Sequence, residues 1–364
     1  MKKIHFFFIA LLIHSLTFSQ LNKQTVLRGT WITNVASSAM RSPENVREAV
    51  LNCKRNGLTD IFVVVWNGGL TMYPSELVKK YIGTAQAPYY KGFDPLKAFV
   101  EEGHKEGLRV HAWFEFGAAY AYKDSSINGW LAKYPSWAGR NSKGDLLQKN
   151  GFFWWNSMNP DVQKFLKQLM LEVVRNYQVD GVQGDDRLPA MPGEGGYDEC
   201  SIALYKKDHN GKMPPSNAKD TAFIQWKANK ISDFGKSMYQ SVKKERANCL
   251  VTWAPSIYPW SKEQYLQDWP KWINGGYADL IIPQLYRYKI DAYEKILQEL
   301  SLQVPTALKY KIFPGILTSL GDGYRVDKLM LSQMLELNRK YGYKGEVLFY
   351  YESLKDFKDP LYSK

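Results

Sequence analysis

Val179-Asp-Gly-Val-Gln-Gly-Asp-Asp-Arg187 is the stretch from which the rest of the chain is best understood. It follows a helical run over 160–177 and reads as a short buried strand ending in two adjacent carboxylates. Side chains alternate along a strand, so Gln183 and Asp185 share one face while Val182 and Gly184 share the other. A polar residue followed two positions later by an acid does not suit an apolar interior face. It suits a strand that runs out into a solvent-filled pocket. Asp185 is therefore expected at the mouth of a barrel.

The alternation continues on both sides. Strand patterns fall at 28–33, 60–66, 108–115, 179–185, 250–255, 279–286, 311–317 and 345–350, with helical patterns between them. Ser42-Pro43 opens one helix, the serine as N-cap and the proline at the first helical position. Ile61-Phe-Val-Val-Val65 is a continuous apolar run, the mark of a strand buried on both faces in a parallel sheet. Eight strand–helix units in one chain predict an α/β fold, a (β/α)8 TIM barrel. A doubly wound open sheet is the rival. It does not need eight units, and no Gly-x-Gly-x-x-Gly loop follows the first strand.

The strands starting at 108, 179 and 250 are 71 residues apart, so lengthened loops are expected after strands 3 and 4. Residues 116–159 hold Trp130, Trp137, Trp154 and Trp155, and residues 186–220 are rich in Pro and Gly. Both loops follow a strand and so belong to the C-terminal face, where barrel active sites lie. No repeat or linker divides residues 20–364, which read as a single domain.

Among 364 residues, 45% are hydrophobic and 23% charged, the composition of a folded globular chain. The net charge of +12 is dispersed, with no basic block of the kind that binds nucleic acid. A solvated basic surface or an anionic polymer as substrate would each account for it. The 12 Trp and 24 Tyr serve a large core first, and sugar rings also stack on such faces. Met1-Lys-Lys3, the apolar run Phe6–Ile13 and the polar Ser15–Gln20 form the pattern of a signal peptide over 1–19. The expected location is periplasmic or secreted, without membrane insertion, because the apolar run is too short to span a bilayer. Cys53, Cys200 and Cys249 make no Cys-x-x-Cys pair, and only His104, His111 and His209 lie beyond the leader. No metal or other cofactor is expected, and the chain is read as a monomer.

Chemistry on a barrel comes from the C-terminal strand ends. The carboxylates there are Glu115, Asp185, Asp186 and, beyond the eighth strand, Glu352. His111, Trp113, Gln183, Trp253, Gln284 and Tyr286 surround them, with Trp31 and Trp66 closing the first two strands. Paired acids on an aromatic rim suit glycoside hydrolysis, in which one carboxylate attacks or activates water and the other protonates the leaving oxygen. Asp185, Glu115 and Asp186 are the candidate catalytic residues, and the others are candidate substrate contacts. Structural uses compete: Asp186 as a turn cap or Arg187 partner, Glu352 in a salt bridge, Trp31 and Trp66 as core.

Arg28-Gly-Thr-Trp31, His111-Ala-Trp-Phe-Glu-Phe-Gly117, Val179–Asp186 and Pro283-Gln-Leu-Tyr-Arg287 together resemble the family-10 glycosylhydrolase-like proteins of bacteria. Gly196-Tyr-Asp198 and Trp226-Lys-Ala-Asn-Lys-Ile231 add to the resemblance, which runs from about Arg28 to Leu354. It implies a (β/α)8 barrel and glycosidase-type activity on bacterial cell-wall glycan, including peptidoglycan strands stripped of peptides. More distantly, Asp180–Asp185 resembles the fourth-strand motif of the α-amylase superfamily, which implies that Asp185 is the nucleophile. The expectation is an exported glycoside hydrolase whose partner is an oligo- or polysaccharide, peptidoglycan glycan first. A glycan-binding barrel without hydrolysis and a scavenging glycosidase for plant or fungal glycans are the alternatives.

Overall fold

The computed structural model describes residues 26–321, 323–357 and 359–362. The expected signal peptide over 1–19 lies outside them. Eight strands form one parallel sheet: β1 (Arg28–Ile32), β2 (Asp60–Val64), β3 (Arg109–Phe114), β4 (Gly181–Gly184), β5 (Leu250–Trp253), β6 (Leu280–Ile281), β7 (Gly315–Leu317) and β8 (Glu346–Phe349). Ladders join β1 through β6 in sequence, and β7, β8 and β1 at the other edge. Single parallel bridges, Ile281 to Ile312 and Gln284 to Gly315, close the circle between β6 and β7.

That seam explains where the strands are shorter than expected. Pro283 and Pro314 have no N–H to donate, so the ladder over 279–286 and 311–317 breaks into isolated bridges. Residues Thr306–Lys311 form a 3-10 turn instead of the start of β7.

The helices lie outside the barrel: α1 (Pro43–Arg55), α2 (Pro95–Lys105), α3 (Pro160–Asn176), α4 (Thr221–Glu245), α5 (Trp269–Asn274), α6 (Ile290–Gln303) and α7 (Lys328–Lys340). Side chains of Ser42, Asp94, Asn159, Asp220 and Asp327 accept N–H groups at five of their starts. The helix expected over 263–273 is two short ones, Trp260–Tyr265 and α5, separated where Leu266 turns left-handed. After β8 the 3-10 turn Tyr351–Asp356 stands in place of an eighth helix. No helix among the described residues is long and apolar enough to cross a membrane.

Polar pairs thread the barrel interior. Low in the barrel, Asp60 accepts from Arg109 Nη2 at 2.8 Å and from His111 Nε2 at 2.7 Å. Burial opposes its charge, but the His111 hydrogen bond and the Arg109 cation hold its carboxyl below the ordinary value. One level up, Trp31 Nε1 donates to Gln183 Oε1 at 2.6 Å and Gln183 Nε2 donates to Thr252 Oγ1 at 3.1 Å. Both ends of the buried amide are thus used, and Trp31 and Gln183 form a floor beneath the mouth.

The two long loops carry structure of their own. In the first, Ala119–Tyr122, Phe152–Trp154 and Gln148–Lys149 make a three-stranded antiparallel sheet. Trp66, Trp130, Trp137 and Trp155 pack around Phe165 of α3 in the part of the core beneath it. Many of the tryptophans therefore hold up a loop. In the second, Lys227 of α4 is fully buried and donates to the carbonyls of Gly193 and Gly195, pinning the loop.

Candidate active site

β4 delivers Asp185 to the mouth with the parity of Gln183, and three N–H groups converge on it. Trp113 Nε1 donates to Oδ2 at 3.0 Å, Gln284 Nε2 to Oδ1 at 2.6 Å, and the Asp186 backbone to Oδ1 at 2.8 Å. Gln267 Nε2 donates to the Asp185 carbonyl at 2.9 Å and steadies the main chain. The Asp185 side chain is only 5% exposed. Burial, and after it the charge of Asp186, push its carboxyl well above the ordinary value, against the pull of Arg187. The three donors act in the opposite sense, since hydrogen bonds to a carboxyl favour its charged form.

Glu115 stands at the end of β3. Its Oε2 accepts from Asn67 Nδ2 at 2.6 Å, and burial raises its carboxyl, offset in part by Arg187 and by that hydrogen bond. Two neighbouring carboxyls with unequal surroundings are the arrangement from which an acid and a base can be separated.

Arg187 joins them. Its Nη2 lies 3.6 Å from Glu115 Oε1 and 3.7 Å from Asp185 Oδ2, and Nη1 lies 3.1 Å from Asp186 Oδ1. The guanidinium rests on Phe152, 4.8 Å from the ring centre, so the first long loop forms one wall of the site. Asp186 thus pairs with Arg187 in the structure, and a place at the mouth and a structural partner coincide in it. Tyr286 stacks on Phe349 at 5.1 Å, and burial, with the charges of Asp185 and Asp186, raises its phenol well above the ordinary value.

The other expected contacts are distributed differently. Trp113 and Gln284 bond Asp185 directly. Gln183 and Trp31 are sealed in the floor, 0% and 1% exposed. His111 lies lower still, bonded to Asp60 and stacked on Phe62 at 4.5 Å. Its place among the substrate contacts is corrected: a whole layer of side chains separates it from the mouth.

Trp253 is corrected too. Its register partner is Gly184, on the outward parity, so the ring lies under α5, 5.9 Å from Trp272, with Nε1 donating to the Tyr277 carbonyl at 3.2 Å. Trp66 belongs to the loop core, donating to the Gly117 carbonyl at 2.9 Å. Glu352 accepts from Ser37 Oγ at 2.6 Å and pairs with Lys355 at 2.8 Å, the salt-bridge use.

Sequence reading did not single out Arg187, Asn67 or Tyr265 as site residues. Arg187 carried a signal, since it follows the two acids directly in the turn that leaves β4. Asn67 and Tyr265 arrive from loops with no such periodicity.

Over residues 26–326 the chain matches the family model described as glycosyl hydrolase-like 10. Glycosyl hydrolase DigH of Escherichia coli is 28% identical over 160 residues, 43% of this chain and 36% of that protein. Glycosyl hydrolase YngK of Bacillus subtilis is 23% identical over 294 residues, 71% of this chain and 54% of that protein. The chain thus spans about a third to a half of the length of these curated relatives. In fold it is similar to the PgaB (BpsB) glycoside hydrolase domain from Bordetella bronchiseptica, with a TM-score of 0.68 and 11% identity over 91% of this chain and 96% of that one. It is also similar to the catalytic domain of β-amylase from Paenibacillus polymyxa, with a TM-score of 0.62 and 10% identity over 90% and 92% of the two chains.

Proposed function

The chain belongs to the glycosyl hydrolase-like 10 family, and from that premise we propose that it is an exported glycoside hydrolase working through Asp185 and Glu115. The observation that carries this reading is the pair of carboxyls on either side of Arg187 Nη2. A nitrogen within 3.7 Å of both keeps the two oxygens less than about 7.5 Å apart, below the far limit of roughly 9.5 Å for glycosidase carboxyl pairs.

Asp185 is the nucleophile or base, because three donors and no acceptor orient an ionised carboxylate toward the mouth. Glu115 is the proton donor, because it accepts one amide hydrogen bond where Asp185 accepts three, which leaves an oxygen for the leaving group. Arg187 lowers both carboxyls, while their mutual repulsion favours the state in which one is protonated and the other ionised. Tyr286 and Gln284 border the position of the sugar.

The substrate is the glycan of bacterial peptidoglycan. The motif resemblance supports this, as does the net positive charge, opposite in sign to the lactyl carboxylates of muramic acid. The leader over 1–19 supports export to where that polymer lies. The test is to incubate the protein and Asp185→Asn with peptide-free peptidoglycan strands and a panel of polysaccharides, reading products by mass spectrometry. Cleavage of the strands that disappears in the variant is expected; cleavage that survives in the variant removes Asp185 from the mechanism. The near-closure of the Asp185 carboxyl, 5% exposed with both oxygens engaged, favours a second reading, a glycan-binding barrel. Saturable binding without products over days would select it.

A further inference from the structure

The second long loop and the loop after β5 meet beside the acids. Met191 N–H donates to the Tyr265 carbonyl at 3.2 Å and Gly193 N–H donates to the Gln264 carbonyl at 2.9 Å. The approach is so close that a Cβ on Gly193 would lie 2.4 Å from the Glu263 carbonyl oxygen, which only glycine permits. Two zipped loops make a fixed wall.

On the outer side of that wall is a cavity of about 460 Å3 whose lining includes Glu194, Ile224, Tyr258, Pro259, Lys262 and Gln264. Its composition is mixed in a particular way. Ile224, Tyr258 and Pro259 offer apolar faces, while Glu194, Lys262 and Gln264 offer polar groups held by neighbours. Lys149 Nζ bonds Glu194 Oε1 at 2.8 Å and Gln264 Oε1 at 2.7 Å, and Lys262 Nζ bonds Gln225 Oε1 at 2.6 Å. A pyranose has this same division, an apolar C–H face and a hydroxyl edge.

The wall is one residue thick at this point, with the cavity on one side and the acids on the other. Gln264 lines the cavity, and Tyr265 turns inward, where the charges of Asp186 and Arg187 act on its phenol. Trp260, 43% exposed, stands edge-on to Tyr265 with ring centres 5.4 Å apart, an uncovered indole beside the wall. No role in the barrel core explains an exposed tryptophan there.

We propose that this cavity is a distal subsite holding one sugar unit of a glycan whose scissile bond lies at Glu115 and Asp185. The proposal rests on the glycosidase reading above and adds to it: the protein acts on chains, engaging sugars well beyond the bond it cuts. Binding energy gathered there would be spent in positioning at the acids, so long substrates would gain over short ones.

The experiment compares wild type with Tyr258→Ala, which removes a platform, and Ala218→Trp, which fills the cavity from an outlying loop. Thermal melting checks that both remain folded. Peptide-free peptidoglycan fragments from disaccharides upward are the substrates. Both variants should lower kcat/KM for the long fragments by about tenfold and leave the shortest cleavable fragment unchanged. An equal loss at every length, or no loss at any, overturns the subsite while leaving the glycosidase reading intact. If wild type cleaves nothing, equilibrium binding followed by tryptophan fluorescence decides: weaker binding of long fragments alone by the variants supports the subsite, and length-independent binding overturns it. Absence of both cleavage and binding for every fragment removes the glycosidase reading and the subsite together.

Discussion

Arg187 donates its Nε–H to the main-chain carbonyl of Glu115 at 2.9 Å, across the mouth of the barrel. The bond is reciprocated nearby, since the Arg187 carbonyl accepts from Ala118 N–H at 2.8 Å. Between them sits Gly117, where a Cβ would fall 2.1 Å from the Arg187 oxygen. The ends of β3 and β4 are clamped by one side-chain and one backbone hydrogen bond, which holds the two candidate carboxyls at one spacing.

Arg187→Gln removes the cation that lowers both carboxyls. With it gone, both pKa values rise, so both limbs of the pH–rate profile should move to higher pH. The rate at the optimum should fall about a hundredfold, the scale of lost charge stabilisation in an organised site. Arg187→Lys keeps the charge without the fork and should restore the profile's position more than its height. An unmoved profile in Arg187→Gln would show that the arginine is only a structural clamp.

Glu115 and Asp185 both titrate above their ordinary values because they are buried. Activity requiring Asp185 ionised and Glu115 protonated is bell-shaped, with limbs above the usual carboxylate range of about 4. Glu115→Gln should abolish the alkaline limb and lower kcat by about 10²-fold or more. Stability follows the same sign. A carboxyl raised on folding favours the fold below its unfolded value and costs stability as pH rises through its folded value. Asp185→Asn should therefore gain melting temperature relative to wild type at pH 8 compared with pH 4. A constant difference across that range, measured by calorimetry, would contradict the raised value.

Gln284→Met deletes the 2.6 Å hydrogen bond to Asp185 Oδ1 while keeping the side-chain length. Loss of one charge-assisted donor should cost about 1.5–3 kcal/mol of transition-state stabilisation, read in kcat with KM little changed. A rise in KM alone would mean that Gln284 holds the sugar and leaves the carboxylate free.

Lys227 supplies a prediction away from the acids. It is fully buried, and burial depresses its ammonium to about 7, opposed by Glu194. An amine lowered from about 10.4 in the unfolded chain makes the fold more stable as pH rises through the folded value. Between pH 7 and 9 the gain should be about 2 kcal/mol. In Lys227→Met, urea unfolding should show that gain missing, together with a net loss from the uncapped carbonyls of Gly193 and Gly195. A variant with the wild-type slope would place the ammonium's titration elsewhere.

Strand and helix alternate with periods that are local in the chain, so eight units, the parallel sheet and the two long loops could be read from residue order alone. The shared face of Gln183 and Asp185 was equally legible, because alternation needs only two neighbours. Trp253 shows where that kind of inference ends. Its identity suits a sugar platform, and only its pairing with Gly184 turns it outward beneath α5; a shift of one residue would have reversed it. Trp66 is similar, since a cluster assembled from α3 and the first long loop buried it. Arg187 between Glu115 and Asp185 is a contact across some seventy positions of chain, and so is the bond of Trp113 to Asp185. Periodicity assigned each residue to a face of its own element; closure of the barrel decided which of those faces meet, because that depends on strand register and loop packing between segments that no local pattern links.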